Sequence, residues 1–258
     1  VARRVVDRHV LHLIKQWLKA PVEEDDGHGH RQWTTSNRDT GRGTPQGAPI
    51  SPLLSNLYMR RFILGWKTLG YARRWSAQIV NYADDFVICC KGRAEDAMDA
   101  MRGMMETLKL TVNDDKTHLC QIPQERFDFL AYTFGRCYNQ QTGRAYIGTR
   151  PSQKSIKRMV ESVTQETDRC RTLLDAEVVV GRLNRKLTGW ANYFCLGPVS
   201  PAYRAINTHV TQRLRRWLCK KHKVPGKGRR RYPDQYLHEQ LGLVNLPART
   251  HDLPWAKA

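Results

Sequence analysis

Residues 78–90 constrain the fold most, because they combine two short strand patterns with a charged turn. The runs 78–82 and 86–90 are rich in strand-forming residues, and the turn between them carries the adjacent carboxylates Asp84 and Asp85. This arrangement predicts a tight β-hairpin with both acids at its tip. Neighbouring side chains of an extended chain point to opposite faces, so the two carboxylates take different roles unless the turn rotates them.

The paired acids at residues 84 and 85 allow two interpretations. A pair of Asp residues often marks only an exposed turn. Two like charges side by side also repel each other, and a bound cation relieves this repulsion. Proteins hold Mg²⁺ with one or two carboxylates together with substrate phosphates, an arrangement that a hairpin tip can offer. The position of the acids between two apolar strands favours the metal-binding interpretation.

The net charge of +19 and the pI near 10 predict a polyanionic partner. The charge is uneven: residues 1–143 have 20 Lys and Arg against 16 Asp and Glu, whereas residues 144–231 have 21 against 5. The last 27 residues have 2 against 3. We therefore expect residues 144–231 to provide the main grip on nucleic acid. The alternatives are a basic face that serves only solubility, or a patch for a membrane surface.

The seven cysteines indicate a reducing compartment, and the hydropathy pattern indicates a protein outside the membrane. No Cys-x-x-Cys pair occurs, so neither a zinc knuckle nor a disulfide framework is indicated. No apolar run approaches the roughly 18 residues that a bilayer-spanning helix needs. We expect a soluble cytoplasmic protein with no membrane partner.

Apolar periodicity predicts an α+β fold in two domains. Helical patterns cover residues 3–20, 51–63 and 94–110, the first as an amphipathic core helix, and residues 127–132 have a buried-strand pattern. Residues 1–149 are therefore predicted to place helices on a small antiparallel sheet. An all-α domain is predicted for residues 150–258, with helices near residues 156–163, 178–187 and 203–218.

The tetrapeptide Tyr82-Ala83-Asp84-Asp85 resembles the catalytic hairpin of reverse transcriptases, and the surrounding blocks resemble the group II intron-encoded members of that family. Residues 43–58, which read Gly-Thr-Pro-Gln-Gly-Ala-Pro-Ile-Ser-Pro-Leu-Leu-Ser-Asn-Leu-Tyr, are similar to the block that precedes this hairpin. Ala48 stands where many members have Gly. The resemblance implies a partial polymerase palm, and it implies that the incoming nucleotide and template are lined by Pro45, Gln46, Gly47 and Tyr82.

Two further blocks resemble this family. Residues 111–117 are similar to the block whose lysine lies near the leaving pyrophosphate, which implies that Lys116 neutralises charge or donates a proton. The alternative is a turn lysine in solvent. Residues 127–132 resemble the strand that steadies the primer end, a role that falls on Phe129 and Leu130, although Ala131 replaces a usual Gly. On composition alone this segment is only a buried strand.

Residues 188–194 resemble the signature of the intron maturase domain, which implies that the helical part is an RNA-binding thumb. Gly189 can permit a helix break, and the aromatic residues Trp190, Tyr193 and Phe194 can either stack on bases or pack the helices together. Basic residues of this domain suit contacts to backbone phosphates. The residues expected to bind RNA are Lys154, Lys157, Arg158, Arg213, Arg215, Arg216, Lys220, Lys221, Arg229, Arg230 and Arg231.

The resemblance implies an RNA-directed DNA polymerase and intron maturase. Its partners would be a group II intron RNA template, a DNA primer or target and deoxynucleotides, within a bacterial-type intron ribonucleoprotein. Two Mg²⁺ ions would serve the reaction, with Asp84 as direct ligand and Asp85 in support. The alternatives are an RNA-binding maturase without polymerase activity and an inactive remnant.

One catalytic element of the family has no counterpart here. Members carry a further Asp in an Asp-x-x-x-x-Phe block, and no such block precedes Gln46. We therefore expect the chain to be the C-terminal portion of a longer enzyme, or a truncated or split copy. The missing N-terminal part would then come from another polypeptide or a dimer, and the chain alone would polymerise weakly or not at all.

Overall fold

The chain divides into two compact units, residues 1–119 and residues 120–258. Helices and small antiparallel sheets make up both units, which confirms the predicted α+β class. The domain boundary expected between residues 149 and 150 stays a prediction. The computed structural model describes residues 5–25, 31–34, 48, 50–139 and 141–252.

The first unit contains two antiparallel hairpins and the helices that accompany them. Asp7 caps its first helix, because the carboxylate accepts hydrogen bonds from the amides of His9 at 2.8 Å and Val10 at 3.3 Å. The described elements are α1 (Arg8–Lys19), β1 (Val22–Asp25), β2 (Arg31–Thr34), α2 (Ser51–Thr68), α3 (Tyr71–Arg74), β3 (Gln78–Tyr82), β4 (Asp85–Cys89) and α4 (Ala94–Thr107).

Helix α1 corrects the expectation of a core helix. The helix forms where periodicity predicts it, but Ile14 is its one buried residue. Leu13 and Trp17 are 45% and 49% exposed. Periodicity therefore identified the helix correctly, while its apolar stripe lacks the cover that the pattern implied.

The core of the first unit lies between helices α2 and α4 and one face of the β3–β4 hairpin. Met101 and Met105 of α4 are buried with Phe62 and Trp66 of α2. At Gly65 a Cβ atom would lie 2.8 Å from Met104 Cε, so the methionine methyl group occupies the space that a side chain at this position would fill. The hairpin residues packed against this core are Ile79, Phe86 and Ile88.

The second unit places a three-stranded antiparallel sheet beside three long helices. Its core is formed mainly by helix residues such as Val163, Leu183, Leu187, Ile206 and Leu214, each at most 1% exposed. The elements are β5 (Phe127–Phe129), β6 (Tyr132–Tyr138), β7 (Ala145–Pro151), α5 (Gln153–Glu166), α6 (Ala176–Tyr193) and α7 (Ser200–Lys221), followed by a π-helical turn (Tyr236–Gln240) and a 3₁₀ helix (Pro247–Asp252).

Two boundaries in this unit differ from those expected. Residues 127–132 are not one strand, because Phe129 pairs with Tyr132 across a two-residue turn that joins β5 to β6. Helix α6 does not end near residue 187, and it continues through Gly189 to Tyr193. Buried Leu187, Trp190 and Ala191 hold this last stretch against the core, so tertiary packing overrides the helix-breaking tendency of glycine.

Glu166 links helices α5 and α6 through a buried carboxylate that sequence patterns did not reveal. Its side chain is 9% exposed and forms ion pairs with Arg171 and with Lys186, the latter at 2.8 Å. Lys186 also donates to Ser162 Oγ at 2.8 Å. Burial alone would raise the pKa of Glu166, but the attraction of Lys186, Arg171 and Arg182 outweighs it and holds the pKa below its usual value.

We expect Glu166→Gln to lower the free energy of unfolding by about 1–2 kcal/mol at pH 7, because the neutral amide leaves partly buried cations without their charge partner. A carboxyl with a depressed folded pKa stabilises fully above its unfolded pKa of about 4.3, and this stabilisation is lost as pH falls through the folded pKa. The difference between variant and wild type should therefore shrink below about pH 4. Urea unfolding of the full chain at several pH values measures it.

Glu161→Gln is the matched control for this prediction, because Glu161 is exposed and lies 4.0 Å from Lys157. Its stability should stay near that of the wild type. An unchanged Glu166→Gln variant at pH 7 would contradict the role assigned to the buried carboxylate.

Candidate functional site

The β3–β4 hairpin forms as predicted, with the two acids at its tip. Five residue pairs join the strands, and Tyr82 pairs with Asp85 across the turn. Ala83 turns the chain with φ of +54°, and Asp84 completes the two-residue turn before Asp85 begins β4. Both carboxylates thus lie at one end of the ribbon.

The two faces of this hairpin have different environments. Residues opposite each other in an antiparallel pair share a face, so Tyr82 and Asp85 lie together on the face away from Ile79 and Ile88. That face is open, with Tyr82 65% exposed and Val80 55% exposed. The helical core therefore supports the ribbon from one side and leaves the acid-bearing side accessible.

The carboxylates of Asp84 and Asp85 are both exposed. Neither has a hydrogen-bond or ion-pair partner among the described residues, so no protein cation offsets their mutual repulsion there. No cluster of three or more His, Cys, Asp or Glu side chains suited to a metal occurs in the described part of the chain. The tip therefore supplies two oxygen donors of the kind that hard cations prefer.

The other predicted polymerase residues are distributed differently. Lys116 belongs to the same unit and is exposed on a turn, where its amide donates to the carbonyl of Asn113 at 3.2 Å. Pro45, Gln46 and Gly47 lie outside the described residues. The remaining two belong to the second unit: Phe129 ends β5, and Leu130 is the first residue of the β5–β6 turn.

The β5–β6 turn holds two residues in the left-handed region, Leu130 with φ of +50° and Ala131 with φ of +62°. Two-residue turns of this kind favour Gly or Asn, because a side chain disfavours positive φ. Neighbouring groups fix both carbonyls: Tyr193 Oη donates to Leu130 O at 2.9 Å, and the Ser152 amide donates to Ala131 O at 2.9 Å.

The hydroxyls of Tyr132 and Tyr193 form two hydrogen bonds between the β5–β6 turn region and the end of α6, which we call the tyrosine clasp. Tyr132 Oη donates to the carbonyl of Tyr193 at 2.6 Å, while the hydroxyl of Tyr193 holds Leu130. Burial raises the pKa of Tyr132, so its hydroxyl is a protonated donor at neutral pH. Burial also raises the pKa of Tyr203, a residue outside the clasp, to about 12, and its hydroxyl is likewise protonated. The 61-residue separation of the clasp partners left no local sequence signal.

The predicted RNA-binding cations fall into two groups. Three residues of α7 direct donors into the unit: Arg213 to Thr164 and Thr167, Arg215 to the Tyr232 carbonyl and Asp234, and Lys221 to the carbonyls of Thr172 and Leu174. Arg215 is only 7% exposed, so its guanidinium lies inside the unit rather than on its surface. The exposed members are Lys154, Lys157, Arg158, Arg216, Lys220, Arg229, Arg230 and Arg231.

Three of the exposed cations occupy an unusual place in helix α5. Lys154, Lys157 and Arg158 lie in its first two turns, with Ser152 as the cap and no acidic residue in the first turn. The helix dipole disfavours cations there. The dipole therefore does not explain their presence, whereas an external anion would be attracted by both the dipole and the side chains.

Comparisons with known proteins give two family matches along the chain. The sequence model of the family described as "Reverse transcriptase (RNA-dependent DNA polymerase)" matches residues 2–134, and that of the "Group II intron, maturase-specific domain" matches residues 156–237. Protein YkfC of Escherichia coli (strain K12) is 30% identical over 186 residues, covering 60% of this chain and 46% of YkfC. The chain thus spans less than half the length of that relative. None of the described helices has the length and apolar character needed to cross a membrane.

We expect Tyr193→Phe to loosen the β5–β6 turn, because the hydroxyl that holds Leu130 O is lost while the ring remains. A single hydrogen bond of this kind contributes about 0.5–1.5 kcal/mol. Peptide-resolved hydrogen exchange of the full chain should show faster exchange in residues 127–134. Adding Ala131→Gly should restore much of the protection, since Gly tolerates the positive φ.

Tyr58→Phe provides the matched control for this change, because Tyr58 is 47% exposed in the first unit. It should leave exchange in residues 127–134 unaltered. Unchanged exchange in Tyr193→Phe as well would show that the clasp does not hold the turn.

Proposed function

We propose that this chain, which belongs to the reverse transcriptases of the group II intron maturase family, contributes to RNA-templated DNA synthesis at the β3–β4 tip and holds RNA on its basic helical unit. The observation that carries this proposal is the pair of exposed carboxylates of Asp84 and Asp85, which have no side-chain partner among the described residues, at the end of a hairpin with one face packed on the core.

Magnesium is the cation that this tip suits best. Mg²⁺ binds through one or two protein carboxylates and takes its remaining ligands from water and substrate phosphates, which matches a donor pair that is open on one side. Asp84 serves as the direct ligand, and Asp85 supports the same site. When bound, a divalent pair lowers the pKa of the primer 3′-hydroxyl and stabilises the departing phosphate oxygen.

The chain's own residues have separate roles in this reaction. In synthesis, the primer hydroxyl displaces pyrophosphate from the α-phosphate of a deoxynucleotide. Lys116 offsets the negative charge that develops on pyrophosphate or supplies a proton to it. Pro45, Gln46, Gly47 and Tyr82 line the nucleotide and template, while Phe129 and Leu130 steady the primer end on a turn held by the clasp.

RNA binding rests on the second unit. Phosphate contacts need cations that are exposed and not already paired, and among the described residues these occur on α5 as Lys154 and Arg158, on the outer side of α7 and in the loop at residues 229–231. Arg213, Arg215 and Lys221 instead organise the unit that presents them. Their charges add to the positive electrostatic potential of the second unit, but their hydrogen bonds are made to other residues of that unit.

A second candidate function is a maturase that holds intron RNA without polymerising. The specific observation in its favour is the excess of 21 Lys and Arg over 5 Asp and Glu in residues 144–231, which contain most of the maturase-domain match at residues 156–237. This role needs the exposed cations and does not need Asp84. The two candidates therefore respond to different substitutions.

We expect iron(II), used in place of Mg²⁺ with ascorbate and peroxide, to cleave the backbone near residues 84 and 85, because hydroxyl radicals form at the bound metal. The pair Asp84→Asn and Asp85→Asn should abolish this cleavage, together with any extension of an annealed primer on RNA. RNA affinity should change less than about twofold, since the grip lies in the other unit.

The matched control for the metal site is Asp114→Asn with Asp115→Asn, an adjacent pair in the same unit whose Asp114 already pairs with Arg102 at 2.5 Å. Cleavage at residues 84 and 85 should persist in this variant. Equal cleavage in both double variants would exclude metal binding at the hairpin tip.

We expect the triple change of Arg229, Arg230 and Arg231 to Ala to reduce the slope of log affinity against log salt by about 2 for single-stranded RNA, because each lost phosphate contact removes about 0.7. Fluorescence anisotropy across a salt series measures the slope. The control removes the same charge from the first unit through Lys67, Arg73 and Arg74, all exposed. Equal slopes in the two triple variants would contradict the proposed RNA grip.

A further inference from the structure

Strands β6 and β7 form a ribbon that extends beyond the rest of their sheet. They pair over seven residues, from Tyr132 opposite Pro151 to Tyr138 opposite Ala145. Strand β5 pairs with β6 only from Tyr132 to Phe134. From residue 135 outward the ribbon therefore has two strands, an arrangement that is marginally stable unless something packs against it.

One face of this ribbon changes from buried to exposed along its length. At its base Tyr132 is 6% exposed and Phe134 packs against the helical core. The same face continues outward to Ile147 and Tyr138, which are 63% and 61% exposed. The outer part thus offers an aromatic ring and an aliphatic side chain that no described residue covers.

The charge around this surface has one sign. The sequence has no Asp or Glu between Asp128 and Glu161, whereas Arg136, Arg144 and Arg150 lie on the ribbon itself. Arg136 is directly opposite Ile147 on the exposed face, two residues from Tyr138. An apolar surface with a neighbouring cation, on strands that carry no carboxylate, complements a polyanion that also has flat apolar groups.

The opposite face provides an internal contrast. A Cβ atom at Gly148 would lie 2.7 Å from Tyr146 Cε2, because the ring of Tyr146 folds over that glycine. Tyr146 therefore packs on its own ribbon, whereas the ring of Tyr138 contacts no other ring or cation in the described part of the chain. At the tip, Asn139 Oδ1 accepts the amides of Gln141 at 2.8 Å and Thr142 at 3.0 Å, so the strand end beside Tyr138 is held in place.

We propose that the outer β6–β7 ribbon binds single-stranded nucleic acid, with an unpaired base stacked on Tyr138 and a backbone phosphate held by Arg136. This inference rests on the proposed function and adds a contact site for the same class of partner. Stacking on an exposed aromatic ring needs a free base face, which a duplex does not offer. The single-stranded form is therefore the occupant that fits both side chains.

The test compares Tyr138→Leu with Tyr146→Leu in the full chain, since each change removes one aromatic ring and keeps an apolar side chain. The probe is fluorescein-labelled oligouridylate, with a short RNA duplex measured in parallel by anisotropy. We expect Tyr138→Leu to bind oligouridylate about fivefold more weakly or worse, with little change for the duplex. Tyr146→Leu should bind both as the wild type does, and Tyr138→Phe should keep the affinity.

Photocrosslinking locates the contact directly, using oligouridylate that carries 4-thiouridine. Crosslinks to the peptide containing residues 136–147 support the ribbon site. Crosslinks confined to other segments, equal affinities in the two Leu variants, or dissociation of a dimer by Tyr138→Leu without loss of RNA affinity would overturn it. A wild-type chain that binds no RNA would instead refute the proposed function, so the two failures are distinguishable.

Discussion

Small antiparallel sheets are marginally stable in water unless one face is buried. This requirement accounts for how the β3–β4 hairpin and the β5–β7 sheet are placed on their helices. A two-stranded ribbon buries too little apolar surface to offset its loss of conformational entropy. The β3–β4 hairpin meets this need with Ile79, Phe86 and Ile88 on the core formed by α2 and α4. The β5–β7 sheet meets it with Tyr132 and Phe134 against the long helices.

The parts of the sheets left uncovered are those that suit nucleic acid chemistry. A face that is buried fixes the backbone, and the opposite face or the projecting end then presents side chains in a defined orientation. Asp84 and Asp85 occupy such an end, and Tyr138 occupies another. The same division applies to cations: Arg215 makes its hydrogen bonds inside the second unit, while Arg216, its neighbour on α7, is exposed.

Elements with strong periodicity were predictable from sequence, and features that depend on distant partners were not. The hairpin at residues 78–90 and the methionine-rich helix α4 follow from local patterns. The exposure of the apolar stripe of α1 and the inward direction of the Arg213 side chain depend on packing that no local pattern encodes. Composition located the basic segment at residues 144–231, yet adjacent arginines on one helix look identical in sequence even when one is buried.

The β5–β6 turn illustrates how distant contacts decide local conformation. Leu130 and Ala131 each adopt positive φ, at a cost of about 1–2 kcal/mol per residue for side chains of L-configuration. Their sequence predicts a continuous strand, whereas the pairing of β5 with β6 and the hydrogen bonds from Tyr193 and Ser152 favour the turn. Since both donors belong to the helical part, the turn proposed to steady the primer takes its shape from the helices proposed to bind RNA. The compact unit accordingly begins ahead of β5 and includes the sheet with the helices.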